Sequence, residues 1–165
     1  MPEPLESIYD AHAQAVFAFV LNLTRDEAET GDVLQDVFHK LVRQPGTLEG
    51  VENVRVFLLR MAHRVMIDRF RRRATRARLE GAVEERVFAA TEDLDADAHR
   101  RALEAALGEL PEEQRAVVHL KLWGGLTFAE IAEALEVPAN TAASRYRYGI
   151  DKLQALLRPY YEALQ

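Results

Sequence analysis

The sequence predicts an all-α protein of two small helical domains joined by an acidic linker, and three observations predict it. Apolar residues recur at helical spacing in every periodic segment, and no run alternates as a strand does. A weakly periodic stretch between the helical regions is rich in acids. The C-terminal region carries a helix-turn-helix pattern. We place the first domain at residues 1–78, the linker at 79–96 and the second domain at 97–165.

The first domain is predicted to contain three helices. Apolar side chains follow the helical period along the first, at Leu5, Tyr9, Val16, Val20 and Leu23. They do so along the second at Leu34, Val37, Phe38, Leu41 and Val42, and the dipeptide Pro45-Gly46 ends that helix. A polar loop, TLEGVEN, leads into the third.

The third helix is unusually rich in arginine. Positions 55, 60, 64, 69, 71, 72, 73, 76 and 78 are arginines, and Asp68 is the one acid among them. At 100° per residue, one stripe collects Arg60, Arg64, Arg71 and Arg78, opposite an apolar face. A guanidinium group can donate two hydrogen bonds to one phosphate group, and it stays charged. The helix is therefore predicted to bind nucleic acid, with Phe57, His63 and Phe70 placed to stack on unpaired bases. A solvated charged face is the weaker interpretation, because the arginines are almost unopposed in sequence.

The second domain is predicted to begin with two helices. The first carries Leu103, Ala106, Leu107 and Leu110, and LPEE then ends it and starts the next, with proline at the first turn. The buried face of the next helix is expected to include Val117, Val118, Leu120, Leu122 and Trp123, before Gly124-Gly125 ends it. Between the two domains, we expect at most a short helical turn near residues 83–88.

The segment LTFAEIAEALEVPANTAASRYR predicts the helix-turn-helix. Thr127 and Glu130 have the spacing of a capping box at the start of its first helix. The dipeptide Val137-Pro138 breaks that helix, and Asn140 or Thr141 is expected to cap the second. The second helix carries Ser144, Arg145 and Arg147, whose side chains suit phosphates and base edges. An ordinary helical hairpin is the alternative for this segment taken alone.

Composition excludes several classes of protein. The 165 residues include no cysteine, which rules out disulfides, Cys-ligated zinc and thiol catalysis. No apolar run has the length of a membrane span and the N-terminus has no signal core, so we expect a cytoplasmic protein without membrane insertion. The net charge of −6 argues against a protein that coats nucleic acid without sequence preference. Positive charge is instead concentrated in the third helix, and negative charge in the connector that follows it.

The chain resembles an extracytoplasmic-function (ECF) sigma factor of the sigma-70 family, the bacterial RNA polymerase subunits that direct promoter recognition. The first domain matches through LESIYDAHAQAVFAFVLNLT, AETGDVLQDVFHKLVR and VFLLRMAHRVMIDRFRRR. The second matches through LGELPEEQRAVVHLKLWGGLTFAEIAEALEVPANTAASRYR. The resemblance implies three partners: core RNA polymerase, promoter DNA in duplex and single-stranded form, and an anti-sigma factor. From the residues themselves we expect no cofactor, no metal and no catalytic residue.

The resemblance also assigns site residues by position. The helix carrying Asp32, Gln35, Asp36 and Phe38 matches the part of the family that docks on polymerase. The minus-ten element would be recognised and melted by Asn53, Arg60, His63, Arg64, Asp68, Arg71 and Arg72, together with the loop around Glu52. The minus-thirty-five element would be recognised by Thr127, Asn140, Thr141, Ser144, Arg145, Arg147 and Tyr148.

This chain departs from the family pattern at several positions. Glu136 stands where the turn of the motif usually has glycine, which implies a different turn or a strained residue. Several commonly basic positions of the second domain are occupied by Ala143, Tyr148, Ile150 and Asp151, which implies fewer phosphate contacts and a weaker salt dependence. Arg64 occupies a position that is often asparagine, and Phe57 one that is often tryptophan.

Three other functions are alternatives for this sequence. A stand-alone helix-turn-helix regulator is the main alternative, but such proteins usually present two recognition helices from a dimer, and no dimer seam is evident. An enzyme is disfavoured because the five histidines are scattered and the sequence has no phosphate loop or nucleophile elbow. A pure interaction module would use apolar residues such as Trp123, Tyr160 and Tyr161, which are better explained by packing.

Overall fold

The computed structural model describes residues 3–81, 98–163 and 165, and its regular elements there are all helical. They are α1 (Leu5–Thr24), α2 (Glu27–Arg43), a short 3-10 helix (Pro45–Leu48), α3 (Val54–Glu80), α4 (Ala98–Glu109), α5 (Glu112–Leu122), α6 (Phe128–Leu135) and α7 (Ala139–Ala163). The predicted all-α class is confirmed. The helix α3 extends two residues past position 78. The turn predicted near residues 83–88 lies outside the described residues.

The chain divides into two compact units. The first unit contains α1, α2 and α3, and the second is formed by the greater part of α4 to α7. Among the residues described, none of the helices is long and apolar enough to cross a membrane.

Local signals set the ends of the helices in the first unit. Arg25 adopts a left-handed conformation (φ 54°) and ends α1. Asp26 caps α2, since its Oδ1 accepts a hydrogen bond from the Glu29 backbone N–H at 3.0 Å. Asn53 caps α3 in the same way, accepting from the Val56 N–H at 3.1 Å. These caps fix where α2 and α3 start.

All three helices of the first unit contribute to its core. Side chains that are almost fully buried include Val16, Phe19, Val20 and Leu23 of α1, Val33 and Val37 of α2, and Leu58, Leu59, Ala62 and Met66 of α3. The helix α3 extends beyond this core, and from Arg71 to its end nearly every side chain is exposed. Residues 71–80 of α3 therefore form a charged, exposed segment of helix.

In the second unit, α7 packs against α4 and α5. Its core contains Ala106, Leu107, Leu110, Val118 and Leu153. At Gly149 the helices α5 and α7 approach closely: a Cβ there would lie 2.8 Å from Val118 Cγ2 and 3.3 Å from Gln114 Cβ. Glycine is therefore required for this packing, although it is otherwise unfavourable inside a helix.

The helix-turn-helix consists of α6 and the start of α7. The predicted capping box is confirmed, because the Thr127 N–H donates to Glu130 Oε1 at 3.0 Å and the Glu130 N–H donates to Thr127 Oγ1 at 3.2 Å. Glu136 follows α6 with φ 57°, so the left-handed turn is kept without glycine.

Two sequence-based expectations for the second unit were wrong. Asn140 and Thr141 do not cap α7, because the Pro138 carbonyl already accepts the first helical hydrogen bond, from Ala142 N–H at 3.1 Å. Asn140 and Thr141 thus lie in the first turn. Leu122 and Trp123 are not part of the buried face: each is 49% exposed, since α5 ends at this point.

Candidate nucleic-acid interface

The first candidate surface is the exposed arginine stripe of α3. Arg64, Arg71 and Arg72 are exposed, and Arg60 is half-buried with its guanidinium carbon 5.2 Å from the centre of the Phe57 ring. Such stacking holds an arginine against a ring while its N–H groups remain available to other acceptors. The stripe therefore presents several cations along one helix.

Not all arginines of α3 belong to this stripe. Arg69 and Arg73 follow Met66 by three and seven residues, so they extend the buried face of the helix rather than its exposed face. Both contact Glu29, which is only 4% exposed. Arg69 Nε donates to Glu29 Oε1 at 2.8 Å, and this hydrogen bond is the main cause that raises the pKa of Arg69 above its ordinary value. The expectation that the arginines are almost unopposed was therefore wrong for these two.

Arg69 also contacts two of the acids that are predicted to bind polymerase. Arg69 Nη1 lies 3.1 Å from Asp36 Oδ2, and Nη2 lies 3.3 Å from Asp32 Oδ2. Both carboxylates remain about half-exposed, and Gln35 is exposed beside them. Phe38 is buried, with its ring edge-to-face on Tyr9 at 4.9 Å, so Tyr9 presents the aromatic surface at this position.

The remaining predicted residues of the first unit lie along α3 and its start. Asn53 is exposed, but its side-chain oxygen is used in capping α3. Asp68 is exposed on α3, and His63 is half-buried with its ring centre 6.3 Å from that of Phe19. Asn53 therefore holds the loop before α3 against the helix, which fixes the position of that loop relative to the arginine stripe.

The second candidate surface is the start of α7. Asn140, Arg147 and Tyr148 are exposed, and the Arg147 guanidinium carbon lies 5.1 Å from the centre of the Tyr148 ring. Ser144 is half-buried and donates its hydroxyl proton to the Asn140 carbonyl at 2.9 Å, which leaves its oxygen as an acceptor. Thr127 lies at the start of α6, and its hydroxyl is engaged in the capping box.

A cleft of about 330 Å³ lies between the start of α5 and the first turns of α7. Five of the predicted minus-thirty-five residues line it, namely Asn140, Thr141, Ser144, Arg145 and Tyr148. The other wall is formed by Pro111, Glu113 and Gln114, which sequence reasoning did not select. No local pattern identifies these three, because they meet α7 only through the packing of α5 on that helix.

Arg145 is a partly buried predicted contact residue of this cleft. Its side chain is 27% exposed, and Nη2 lies 3.4 Å from Glu113 Oε2. Within residues 3–81 and 98–163, no group of three or more histidine, aspartate or glutamate side chains is placed to hold a metal ion.

Two helical units, one with an exposed arginine helix and one with a helix-turn-helix, define a two-part DNA-binding protein. Comparison with known families gives this class a more specific identity. The family model for sigma-70 region 2 matches residues 8–76, and that for sigma-70 region 4 matches residues 100–153. The chain belongs to the sigma-70 family of RNA polymerase sigma factors, whose members are DNA-binding regulators rather than enzymes.

Individual relatives agree with this assignment. The ECF RNA polymerase sigma factor SigX of Bacillus subtilis is 28% identical over 173 residues, which cover 100% of this chain and 87% of SigX. SigL of Mycobacterium tuberculosis, also an ECF sigma factor, is 27% identical over 160 residues, covering 93% and 89%. The fold is similar to that of the sigma factor RpoE, solved in complex with the anti-sigma factor NepR from Bartonella quintana. The TM-score is 0.76 at 22% identity, covering 88% of this chain and 91% of RpoE. The predicted ECF resemblance is confirmed.

Proposed function

We propose that this protein is an alternative sigma factor of the ECF group, which binds core RNA polymerase and directs it to specific promoters. Residues 1–78 form the domain that docks on polymerase and recognises the minus-ten element. Residues 97–165 form the domain that recognises the minus-thirty-five element, and residues 79–96 connect the two. The observation that carries this proposal is the presence of two different candidate DNA-binding surfaces, the exposed arginines of α3 on one helical unit and the helix-turn-helix on the other.

The first surface suits opened DNA. Arg71 and Arg72 of α3 lie beyond the core of their unit and Arg64 is exposed beside it, so phosphates can approach these side chains. Arg60, Arg64, Arg71 and Arg72 would bind the phosphates of the exposed strand, while Asn53, His63 and Asp68 would contact its bases. Unstacking each flipped base costs a few kcal/mol, and these contacts together with polymerase would offset that cost.

The second surface suits a duplex major groove. A helix-turn-helix places its second helix in that groove, and here the exposed start of α7 carries Asn140, Arg147 and Tyr148. Thr141, Ser144 and Arg145 line the adjacent cleft. Thr127 would approach the phosphate backbone from the start of α6.

Polymerase docking would use the acids of α2. Asp32 and Asp36 keep exposed oxygens beside Gln35, and buried Phe38 supports this helix from below. We also expect an anti-sigma factor that covers these surfaces, since the similar RpoE chain was solved with such a partner. Because its proposed partners are RNA polymerase and promoter DNA, the protein would act in the cytoplasm.

A stand-alone helix-turn-helix regulator is distinguished by one comparison. Binding of the full chain to promoter-length duplexes is measured with and without core polymerase. A sigma factor gives sequence-specific binding only when polymerase is present and forms a one-to-one complex with it. Equal sequence-specific binding without polymerase would overturn the proposal in favour of the regulator.

A further inference from the structure

The Arg145–Glu113 pair in the cleft of the second unit assigns a role to a residue outside the helix-turn-helix. We propose that Glu113 is a specificity-determining residue for upstream DNA, because it holds Arg145 away from phosphates until a matching base replaces it. This inference deepens the proposed function and rests on it.

The pair is built by the packing of two helices. Glu113 lies in the first turn of α5, and Arg145 lies in the second turn of α7. The close approach of these helices at Gly149 brings the two side chains together, with Arg145 Nη2 3.4 Å from Glu113 Oε2. Glu113 is itself 71% exposed, so a ligand that enters the cleft meets both groups.

The charge of the second unit explains why such a pair affects selectivity. Residues 98–165 carry eight arginines and lysines against nine acids, so this part of the chain has no excess positive charge. Non-specific DNA affinity comes almost entirely from cations on phosphates. With Arg145 engaged by Glu113, few guanidinium groups near the start of α7 are available to arbitrary DNA.

Base edges offer Arg145 more than a phosphate does at this position. A guanine presents two acceptors that match the fork of a guanidinium, whereas Glu113 can accept from the exocyclic amine of cytosine. A G·C-containing site therefore satisfies both members of the pair, and a phosphate oxygen would approach Glu113 with like charge. Gln114 lines the same cleft, and its buried Oε1 has no hydrogen-bond partner among the described residues.

The test uses Glu113→Gln in the full chain, with Glu112→Gln as the matched control. Glu112 is the neighbouring acid in the first turn of α5, and it does not line the cleft. Its glutamine variant changes the net charge by the same amount as Glu113→Gln does, without altering the cleft. Binding to a random-sequence duplex is measured by fluorescence anisotropy from low to moderate salt. Freeing Arg145 adds about one phosphate contact, so Glu113→Gln should bind several-fold tighter, with a salt slope steeper by about 0.9. Glu112→Gln should show neither change beyond the general charge effect.

Discrimination is then measured with the polymerase complex. The ratio of affinities for a selected promoter and for the same promoter with a scrambled upstream element should fall several-fold in Glu113→Gln. In an Arg145→Ala background, Glu113→Gln should change neither quantity more than Glu112→Gln does. Identical behaviour of the two glutamine variants in the wild-type background would overturn the inference. Failure of the wild-type chain to bind polymerase would instead refute the proposed function, and the random-duplex comparison would still decide the role of Glu113.

Discussion

Arg69 Nε of α3 donates to Oε1 of the buried Glu29 of α2 at 2.8 Å, which ties the arginine helix to the helix predicted to dock on polymerase. Arg73 contacts the same carboxylate, and Arg69 also reaches Asp32 and Asp36. A buried carboxylate is tolerated only when it is paired. The network therefore anchors the two helices to each other beyond the end of the apolar core.

Removing the charge of Glu29 tests this anchor. We expect Glu29→Gln to lower the free energy of unfolding of the first unit by about 2–3 kcal/mol, because two arginines lose a charged acceptor. Urea unfolding of the full chain is followed by far-UV circular dichroism. The fluorescence of Trp123, the single tryptophan, reports the second unit and should not change. Glu27→Gln, an exposed acid in the same first turn, is the control and should stay within about 0.5 kcal/mol of wild type. Equal stability of both variants would contradict the anchor.

The exposed stripe of α3 is tested by Arg60→Ala and Arg71→Ala. Each should reduce formation of the open promoter complex roughly tenfold, equivalent to the loss of one charge-assisted hydrogen bond. Polymerase binding should change much less, since neither side chain contacts the acids of α2. Opening is measured by the chemical reactivity of unpaired thymines. Arg43→Ala, an exposed arginine on α2, is the control. Normal opening by both α3 variants would refute the proposed role of the stripe.

Replacement of Arg145 tests the recognition of upstream DNA. If Arg145 makes a good base contact, Arg145→Ala should cost about 1–3 kcal/mol of discrimination between a promoter and its scrambled upstream element. The effect is measured by competition for the polymerase complex. Arg158→Ala, an exposed arginine near the other end of α7, should leave discrimination unchanged. An undiminished ratio in Arg145→Ala would exclude this side chain as a base reader.

Burial of His119 predicts a pH dependence for the second unit. Burial lowers the pKa of His119 to about 4, from an ordinary value near 6.5. The unfolded chain therefore takes up a proton at higher pH than the folded chain does. Stability from the neutral ring is fully present above about pH 6.5 and falls as the pH drops towards 4, by up to about 1.4 kcal/mol per pH unit.

The fluorescence of Trp123, whose ring centre lies 5.7 Å from that of His119, is suited to measure this unfolding. His119→Gln should remove most of the pH dependence in the window from pH 6.5 to 4, while His39→Gln on the first unit should retain it. A His119→Gln profile parallel to that of wild type would show that another group is responsible.

The parts predicted well from sequence depend on neighbours along the chain. The capping box of Thr127 and Glu130 spans three residues, and the apolar period of α1 or α2 repeats within one helix, so local rules suffice for both. The arginine stripe of α3 was found for the same reason. The start of α7 was misplaced because a proline carbonyl, rather than a polar side chain, occupies the cap position at Pro138.

The parts that were missed depend on tertiary packing. Arg69 and Glu29 are 40 positions apart, and only the packing of α3 on α2 reveals that this arginine is not free for DNA. Glu113 was read as part of a helix start, and its contact with Arg145 follows from the close approach of α5 and α7 at Gly149. Which arginines of a cluster form ion pairs with acids is therefore set by their position around the helix and by burial together.

The most direct measurement is the mapping of transcription start sites with core RNA polymerase, the full chain and a library of genomic fragments. The protein is predicted to bind the core enzyme one-to-one and to produce new, discrete start sites that share a minus-ten and a minus-thirty-five element. Start sites identical to those of the core enzyme alone, despite tight binding of the chain to DNA, would contradict its function as a sigma factor.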